Sequence, residues 1–454
     1  MRRWFMLLLI GLLVGCGGSS NAPTATSAPT PTVAPTAAPQ APATTVPTSA
    51  PTAATTNTAA APTSVPTNTA TATITPTSVS ASGSAIATTA ATKAPAAANG
   101  DLTQIHVGDN GDGYGFNAWG LSSDSAFRDK VYANTQGAGF GWMRQQVQWA
   151  AMEPQKGNYG TDTTAQLDQF VSGASAKGLK VLLNVVKSPD WVGAKGGLPT
   201  KTQDFTDFMG FLTQRYKGKV QAYEIWNEEN YAVETGGTVN VAAYPPILEA
   251  GFQAVKKTDP KAVVVFGGLT PTGVNDPSIA LNDVEYLRQI YAFNGGEIKQ
   301  YYDVLGAHPG SNCNAPDNSY PDNPQGCDVS GTGKADFSTD NSFYFKRILD
   351  LRKVMEDAGE GNTKMWLTEF GWTTANQAKG YEYGAFVSEQ QQAQYLVRAF
   401  ELGKSYPWVG VMFMWNLNFS TVTPPSDEKY PWAVLKSDWS PRPAYTALKN
   451  MPKG

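Results

Sequence analysis

Residues 223–230 read YEIWNEEN, an apolar and aromatic run that ends abruptly in Asn227 and Glu228. Such a run predicts a β-strand that delivers a carboxylate to its C-terminal end. Residues 365–372, MWLTEFGW, repeat the pattern with Glu369. Side chains alternate between the two faces of a strand, so Glu224 is expected on the face of Glu228, deeper along the run, and Glu229 on the opposite one. A buried Glu224 needs a cationic partner, for which Arg144 is a candidate. Glu229 is expected to be solvated or paired locally.

Outward from these two runs the chain alternates in character. Strands are expected at 114–120 (YGFNAWG), 142–149 (WMRQQVQW), 180–186 (KVLLNVV), 223–230, 262–268 (AVVVFGG), 302–309 (YDVLGAHP), 364–372 and 409–417 (VGVMFMWNL). Helical spacing occupies 125–136, 164–178, 205–216, 244–257, 284–293, 342–358, 388–406 and 442–451. KVLLNVV and AVVVFGG are apolar on both faces, which suits parallel strands covered by helices. Eight strands alternating with helices predict an α/β fold, a (β/α)8 TIM barrel. An open doubly wound sheet shares the alternation, but the glycine-rich phosphate loop expected after its first strand is missing.

The 454 residues are unevenly composed. Residues 1–15 hold two arginines followed by a short apolar stretch, an export signal. Leu13-Val14-Gly15-Cys16 resembles a bacterial lipoprotein signal, which implies cleavage before Cys16 and a lipid on its thiol. An ordinary signal peptide or an uncleaved anchor is the alternative, and either reading exports the protein. Residues 16–100 are nearly all Ala, Thr, Pro and Ser, with no charged residue before Lys93. They cannot build a core and are expected to be a disordered linker. Extended at about 3.1 Å per residue, the linker would reach roughly 250 Å. Residues 101–454 remain as one domain.

A net charge of −4 and a pI near 5.4, without a basic cluster, argue against nucleic acid as a partner. Cys313 and Cys327 stand in a loop rich in Asn, Pro, Asp and Gly. In an oxidising compartment they predict a disulfide; a zinc site is the weaker alternative, since no His or third Cys lies nearby. The DNGDG run at 109–113 lacks the later bidentate Glu of a calcium loop and reads as a turn. Glu153 is expected to order its own loop.

Active sites of such barrels form at the C-terminal ends of the strands, so the residues that close each apolar run are the candidates. These are Arg144, Asn227, Glu228, His308, Glu369 and Trp415. Two carboxyl groups at one mouth suit glycoside hydrolysis, in which one protonates the leaving oxygen and a second, about 5 Å away, attacks the anomeric carbon. The acid must be raised in pKa and the nucleophile held ionised. Of the twelve tryptophans, Trp191, Trp372 and Trp432 are candidates to line a sugar cleft, whereas Trp226 and Trp366 lie inside strands and are expected to pack.

The runs RQQVQWAAMEPQKGNY, SPDW, YEIWNEEN, AHP, LTEFGW and MWNL fall on strand ends in one order, and this set resembles the retaining glycoside hydrolases of clan A, most closely families 39 and 5. The resemblance covers residues 101–454. It implies Glu228 as general acid/base, Glu369 as nucleophile, Asn227 at the sugar 2-hydroxyl, Arg144 keeping the nucleophile ionised and Trp415 as a platform under the sugar. Two departures stand out. Clan members often carry a proline where this chain has Glu229, and many place a tyrosine soon after the strand-six histidine, where this chain has Pro309-Gly310 and no tyrosine before Tyr320. The expected protein is a surface lipoprotein and monomer that hydrolyses β-linked polysaccharide or oligosaccharide by double displacement, without metal or organic cofactor. Short connections after strands four and five suggest an open groove and endo cleavage. The alternative is a catalytically inactive carbohydrate-binding or adhesion lipoprotein on the same barrel; a two-lobed transport receptor fits poorly, because nothing divides the strand series into halves.

Overall fold

Eight parallel strands close into a barrel in the computed structural model, which describes residues 101–454. The export signal, Cys16 and the linker of residues 16–100 lie outside the described residues. The strands are β1 Tyr114–Asn117, β2 Trp142–Gln148, β3 Lys180–Val186, β4 Ala222–Ile225, β5 Val263–Leu269, β6 Val304–Ala307, β7 Met365–Phe370 and β8 Val409–Met414. Each pairs with its neighbour in sequence, and β1 pairs with β8 to close the ring. The helices that follow them are α1 Ser125–Gly137, α2 Asp162–Ala176, α3 Thr202–Tyr216, α4 Pro245–Thr258, α5 Asp283–Ala292, α6 Arg347–Asp357, α7 Glu389–Ser405 and α8 Pro443–Asn450. The expected (β/α)8 alternation is therefore complete.

Local chemistry starts these helices where they start. Asp124 caps α1 and Thr161 caps α2, each accepting from a first-turn N–H. Ser388 and Gln391 form a reciprocal capping box on α7. The helix expected over 342–358 begins only at Arg347, because Asp340 caps a separate 3₁₀ turn, Asn341–Phe343, ahead of it.

Inside the barrel, Trp142, Leu182, Ala222, Val263, Val304, Trp366 and Val411 form an apolar plug at the foot of the strands. Two residues further along, the inward side chains of four strands become polar, namely Arg144, Asn184, Glu224 and Thr368, all buried, while Val265 and Phe413 continue the plug on two others. The period of two thus separates a packed floor from a polar storey at the C-terminal mouth. Asp112 secures the foot, accepting from Trp142 Nε1 at 2.9 Å and pairing with Lys180; the 109–113 run forms a turn. Glu153 does order its loop, accepting from Trp149 Nε1 at 2.6 Å and from the Gly157 N–H at 2.7 Å.

Two irregularities bring the carboxylates to the centre. β4 stops at Ile225, and Trp226 (φ 70°) and Glu228 (φ 48°) then take left-handed conformations. Strict alternation therefore ends before Glu228. Hydrogen bonds hold this unfavourable turn: Trp226 N to Val185 O at 3.0 Å, Glu228 N to Gly268 O at 2.9 Å, and Asn184 Nδ2 to Trp226 O at 2.7 Å. Non-glycine residues held there cost about 1–3 kcal/mol each, and such strain gathers at functional sites. In β7 the register against β8 shifts between Leu367 and Phe370. This bulge lets the consecutive residues Thr368 and Glu369 both reach groups at the barrel centre.

The longest mouth loop runs from β6 to α6 and is stapled by a disulfide between Cys313 and Cys327. Among the described residues no helix is long and apolar enough to cross a membrane. Closing a loop of this size stabilises a fold by up to about 3 kcal/mol, chiefly by restricting the unfolded chain. The double substitution Cys313→Ser/Cys327→Ser is expected to lower unfolding free energy by about 2–3 kcal/mol in urea titrations. A loss below about 0.5 kcal/mol would show that the unfolded chain gains nothing from being released.

Candidate active site

Arg144 stands at the middle of the polar storey with only 1% of its surface exposed. Its guanidinium donates from Nε to Glu224 Oε2 at 2.6 Å, from Nη1 to Glu369 Oε1 at 2.6 Å and to Asn117 Oδ1 at 2.8 Å, and from Nη2 to Asn227 Oδ1 at 2.9 Å. Burial works against its charge, yet Glu224 and Glu369 outweigh burial and raise it above its ordinary value. The arginine stays a cation. Asn117 is fixed in turn, donating from Nδ2 to Thr368 O at 2.9 Å and to Phe413 O at 3.3 Å.

Glu228 has a different environment. Its Oε1 lies 3.1 Å from His308 Nδ1, and its buried Oε2 has no hydrogen-bond partner. Burial pushes its carboxyl up to about 7, although Thr270, Arg144 and Lys187 pull the other way. Glu369 is also raised, with burial the largest cause; the Arg144 guanidinium opposes this in part, and the neighbouring Glu228 and Glu224 carboxyls add to it. Its side chain is 19% exposed and directly paired with a cation, whereas the Glu228 side chain is 5% exposed. The two carboxyl groups are thus set apart by their surroundings, with Glu228 enclosed against an imidazole and Glu369 paired with a guanidinium nearer the solvent.

His308 bridges the pair. Burial lowers its pKa, so the imidazole is neutral, with one nitrogen donating and the other accepting. Nε2 lies 3.1 Å from Thr368 Oγ1 and 3.9 Å from Glu369 Oε1. The ring fits because residue 268 is glycine: a Cβ there would stand 2.3 Å from His308 Nε2 and 2.6 Å from Thr368 Oγ1.

The aromatic candidates separate. Trp415 follows β8, is half-buried and meets Phe419 edge-on at 4.9 Å. Trp432 is partly buried and lies edge-on to Tyr381 at 6.3 Å. Both flank Gly371, just past β7: a Cβ on that glycine would be 2.5 Å from Trp415 O and 3.5 Å from Trp432 Cε3. Trp191 is partly buried in the loop after β3, with Nε1 donating to Glu153 O at 2.9 Å and its ring edge-on to Trp149 at 5.7 Å.

Trp372 does not line the mouth. It is fully buried, its Nε1 donates to Asn314 O at 2.7 Å, and its ring packs against Phe345 and Tyr395. The chain leaving β7 turns this indole back onto the helical layer. Glu229 is likewise corrected: it is fully buried, neither carboxyl oxygen has a hydrogen-bond partner, and burial lifts its pKa well above the ordinary range. A Cβ on Gly267 would come within 2.3 Å of Glu229 Oε2, so glycine makes the room it occupies. The residue is a neutral acid enclosed behind β4 and β5. Tyr320, the first tyrosine after His308, is 39% exposed.

Sequence reading named Arg144, Asn227, Glu228, His308, Glu369 and Trp415, and the structure brings the first five into one hydrogen-bonded or ion-paired network. It missed Asn117, although this residue closes the first apolar run and the strand-end criterion selects it. Thr368 and Gly268 carried no signal, because their roles come from a bulge and from a neighbour's ring. Among the described residues no cluster of His, Cys, Asp and Glu is arranged to hold a metal.

The sequence model for Cellulase (glycosyl hydrolase family 5) matches residues 107–418. None of the curated proteins matches the chain. Among solved structures, a family 39 glycoside hydrolase from the gut symbiont Bacteroides cellulosilyticus WH2 is similar, with a TM-score of 0.53 at 23% identity, covering 74% of this chain and 62% of its own. The chain thus spans less than two thirds of that enzyme's length. A GH5_18 variant from Streptomyces cattleya in complex with Manb1-4GlcNAc gives a TM-score of 0.55 at 12% identity, covering 75% of this chain and 80% of its own. The exo-beta-1,4-mannosidase Op5Man5 from Opitutaceae bacterium strain TAV5 gives 0.52 at 14% identity, covering 78% and 61%. At these identities the likeness is one of fold.

The split between the two carboxyls has a consequence for stability. Glu228 has a folded-state pKa of about 7 against an ordinary 4.5, so the native state binds its proton more tightly than the unfolded chain. Stability contributed by that proton is complete at low pH and lost as pH rises through about 7. Glu228→Gln, neutral throughout, should therefore be more stable than wild type at pH 8 by roughly 2–3 kcal/mol, with the difference shrinking toward pH 4. Urea denaturation at both pH values measures this, and equal stabilities at pH 8 would mean that burial does not penalise the Glu228 anion.

Proposed function

Because the chain belongs to the cellulase family, glycosyl hydrolase family 5, we propose that it hydrolyses β-linked polysaccharide or oligosaccharide with retention, using Glu369 as nucleophile and Glu228 as general acid and base. The observation that carries this reading is the pairing of Glu369 with Arg144 at 2.6 Å while Glu228, raised to about 7, rests against a neutral imidazole. Ionised Glu369 attacks the anomeric carbon as the bond to the leaving oxygen breaks, and the Glu228 proton passes to that oxygen. The Glu228 carboxylate then takes a proton from water, whose oxygen displaces Glu369 and regenerates both groups. In this reading Asn227, oriented by Arg144, meets the sugar 2-hydroxyl, and half-buried Trp415 past β8 supplies an aromatic platform under the sugar.

In this reading the enzyme acts as a monomer, without metal or organic cofactor, and cleaves within chains lying across the barrel mouth. The Leu13-Val14-Gly15-Cys16 run supports lipidation at Cys16, and the linker would carry residues 101–454 away from the membrane to a polymeric substrate. Incorporation of labelled palmitate in a bacterial host should occur in the full chain and be abolished by Cys16→Ser. Equal labelling of both would exclude Cys16 as the anchor.

The reaction itself is tested by following the first product anomer by NMR on a panel of β-glucan, xylan and mannan and on aryl β-glycosides. Turnover with retained configuration is expected, and Glu369→Gln should eliminate it. Glu228→Gln should slow substrates with poor leaving groups by about 10²- to 10⁴-fold. Binding of one glycan without turnover would replace this reading with that of a binding protein.

A further inference from the structure

Lys187 is the first residue past β3, and the mechanism above leaves it without a role. It is held in a left-handed conformation (φ 61°) while its carbonyl accepts from the Ala150 N–H at 2.9 Å. Its Nζ lies 2.8 Å from Glu234 Oε2, with 21% of the lysine side chain exposed and none of the glutamate. Glu234 is itself anchored, since its carbonyl accepts from Trp226 Nε1 at 2.9 Å. The two loops that carry this pair are in backbone contact: a Cβ on Gly197 would stand 2.2 Å from the Thr235 carbonyl carbon. A partly open ammonium is thus fixed in place by a buried carboxyl, an expensive arrangement for a mere surface pair.

Its position relative to the two carboxyls of the mechanism is readable. Val185 of β3 pairs with Ile225 of β4, so Lys187 and Glu228 leave adjacent strand ends. In the closed ring of eight strands β3 stands directly across from β7, and β4 is one place nearer to it. Seen from Glu369 on β7, Lys187 at the end of β3 therefore lies beyond Glu228. The nucleophile marks the sugar that stays and the acid marks the oxygen that leaves, so the space beyond Glu228 receives the departing sugar. We propose that Lys187, positioned by Glu234, is a specificity-determining residue of the leaving-group subsite and donates a hydrogen bond to a hydroxyl of a neutral sugar bound there. An acidic sugar would meet the Glu234 and Glu228 carboxyls as well as the single ammonium. The inference rests on the retaining-hydrolase reading and assigns the subsite a hydroxylated leaving group in preference to an aryl one.

The same subsite would bind a sugar acceptor. In that transfer the acceptor hydroxyl oxygen attacks the anomeric carbon, the bond to Glu369 breaks and releases its carboxylate, and Glu228 takes the hydroxyl proton. The test compares the tetrasaccharides of β-1,4-linked glucose, xylose and mannose with the corresponding 4-nitrophenyl β-disaccharides, in wild type, Lys187→Met, Lys187→Arg and the double variant Lys187→Met/Glu234→Gln. The double variant removes the carboxyl left unpaired in the single one, so a folding defect can be told apart by thermal denaturation. A hydrogen bond from a charged donor predicts that kcat/KM on the tetrasaccharide falls roughly 10- to 100-fold relative to that on the aryl glycoside, in both Met variants. The share of glycosyl-enzyme captured by a disaccharide acceptor in competition with water should drop in parallel, and Lys187→Arg should recover part of both losses. An active wild type whose ratio and partition change less than threefold in both Met variants overturns the role of Lys187 alone. A wild type that turns over none of the probes overturns the hydrolase reading, and this inference with it.

Discussion

A guanidinium buried at the centre of the barrel is the constraint on which the site depends. Removing an arginine from water costs several kcal/mol unless its donors are matched. Here Glu224, Glu369, Asn117 and Asn227 match them from β4, β7, β1 and the turn after β4. The arrangement works both ways. Arg144 pairs with the carboxyls of Glu224 and Glu369, and the need to satisfy it fixes where four segments of the barrel must stand relative to one another. Asn117 carries the network on to the Thr368 and Phe413 carbonyls, so β8 is tied in as well.

From this follows the difference in surroundings between Glu228 and Glu369. The residue type is the same, and the placement differs. One touches a cation at an opening to solvent; the other is enclosed and touches an imidazole that burial itself keeps neutral. Had His308 been charged, Glu228 would be drawn toward ionisation and the acid lost. The neutrality of the ring is in turn a packing matter, since it lies against Gly268, where any side chain would collide with it. A glycine with no chemistry of its own thus helps to keep an acid protonated.

Strain and irregularity appear where the chemistry is. Trp226, Glu228 and Lys187 all take left-handed backbone at the ends of β3 and β4, and the register slip in β7 falls beside Glu369. A regular barrel would direct alternate side chains inward and could not offer Thr368 and Glu369 together. The apolar plug below is built from Trp142, Trp366, Phe413 and their neighbours, all buried. Its packing supports the deviations above it.

Much of this was legible in the chain. Eight apolar runs alternating with helical spacing specify the barrel, because strand and helix periods are local properties and parallel strands need cover on both faces. The strand-end criterion picked out Arg144, Asn227, Glu228, His308 and Glu369, which the fold gathers at one mouth because all five close strands of the barrel. The need of a buried carboxyl for a cation put Glu224 with Arg144, although alternation, the reason given for grouping Glu224 with Glu228, breaks at Trp226. The rest was decided by tertiary structure. Trp372 and Trp432 look equivalent as aromatic residues in mouth loops, yet one is turned into the helical layer and the other stays beside Trp415. Glu229, charged by its letter, is neutral because β5 encloses it. The partners of Lys187 and His308 lie dozens of residues away, on Glu234, Thr368 and Gly268. Sequence by itself determined the elements and the chemistry available at their ends, because these follow from short-range periodicity; burial, charge state and side-chain direction were decided by contacts between distant segments, which no local pattern encodes.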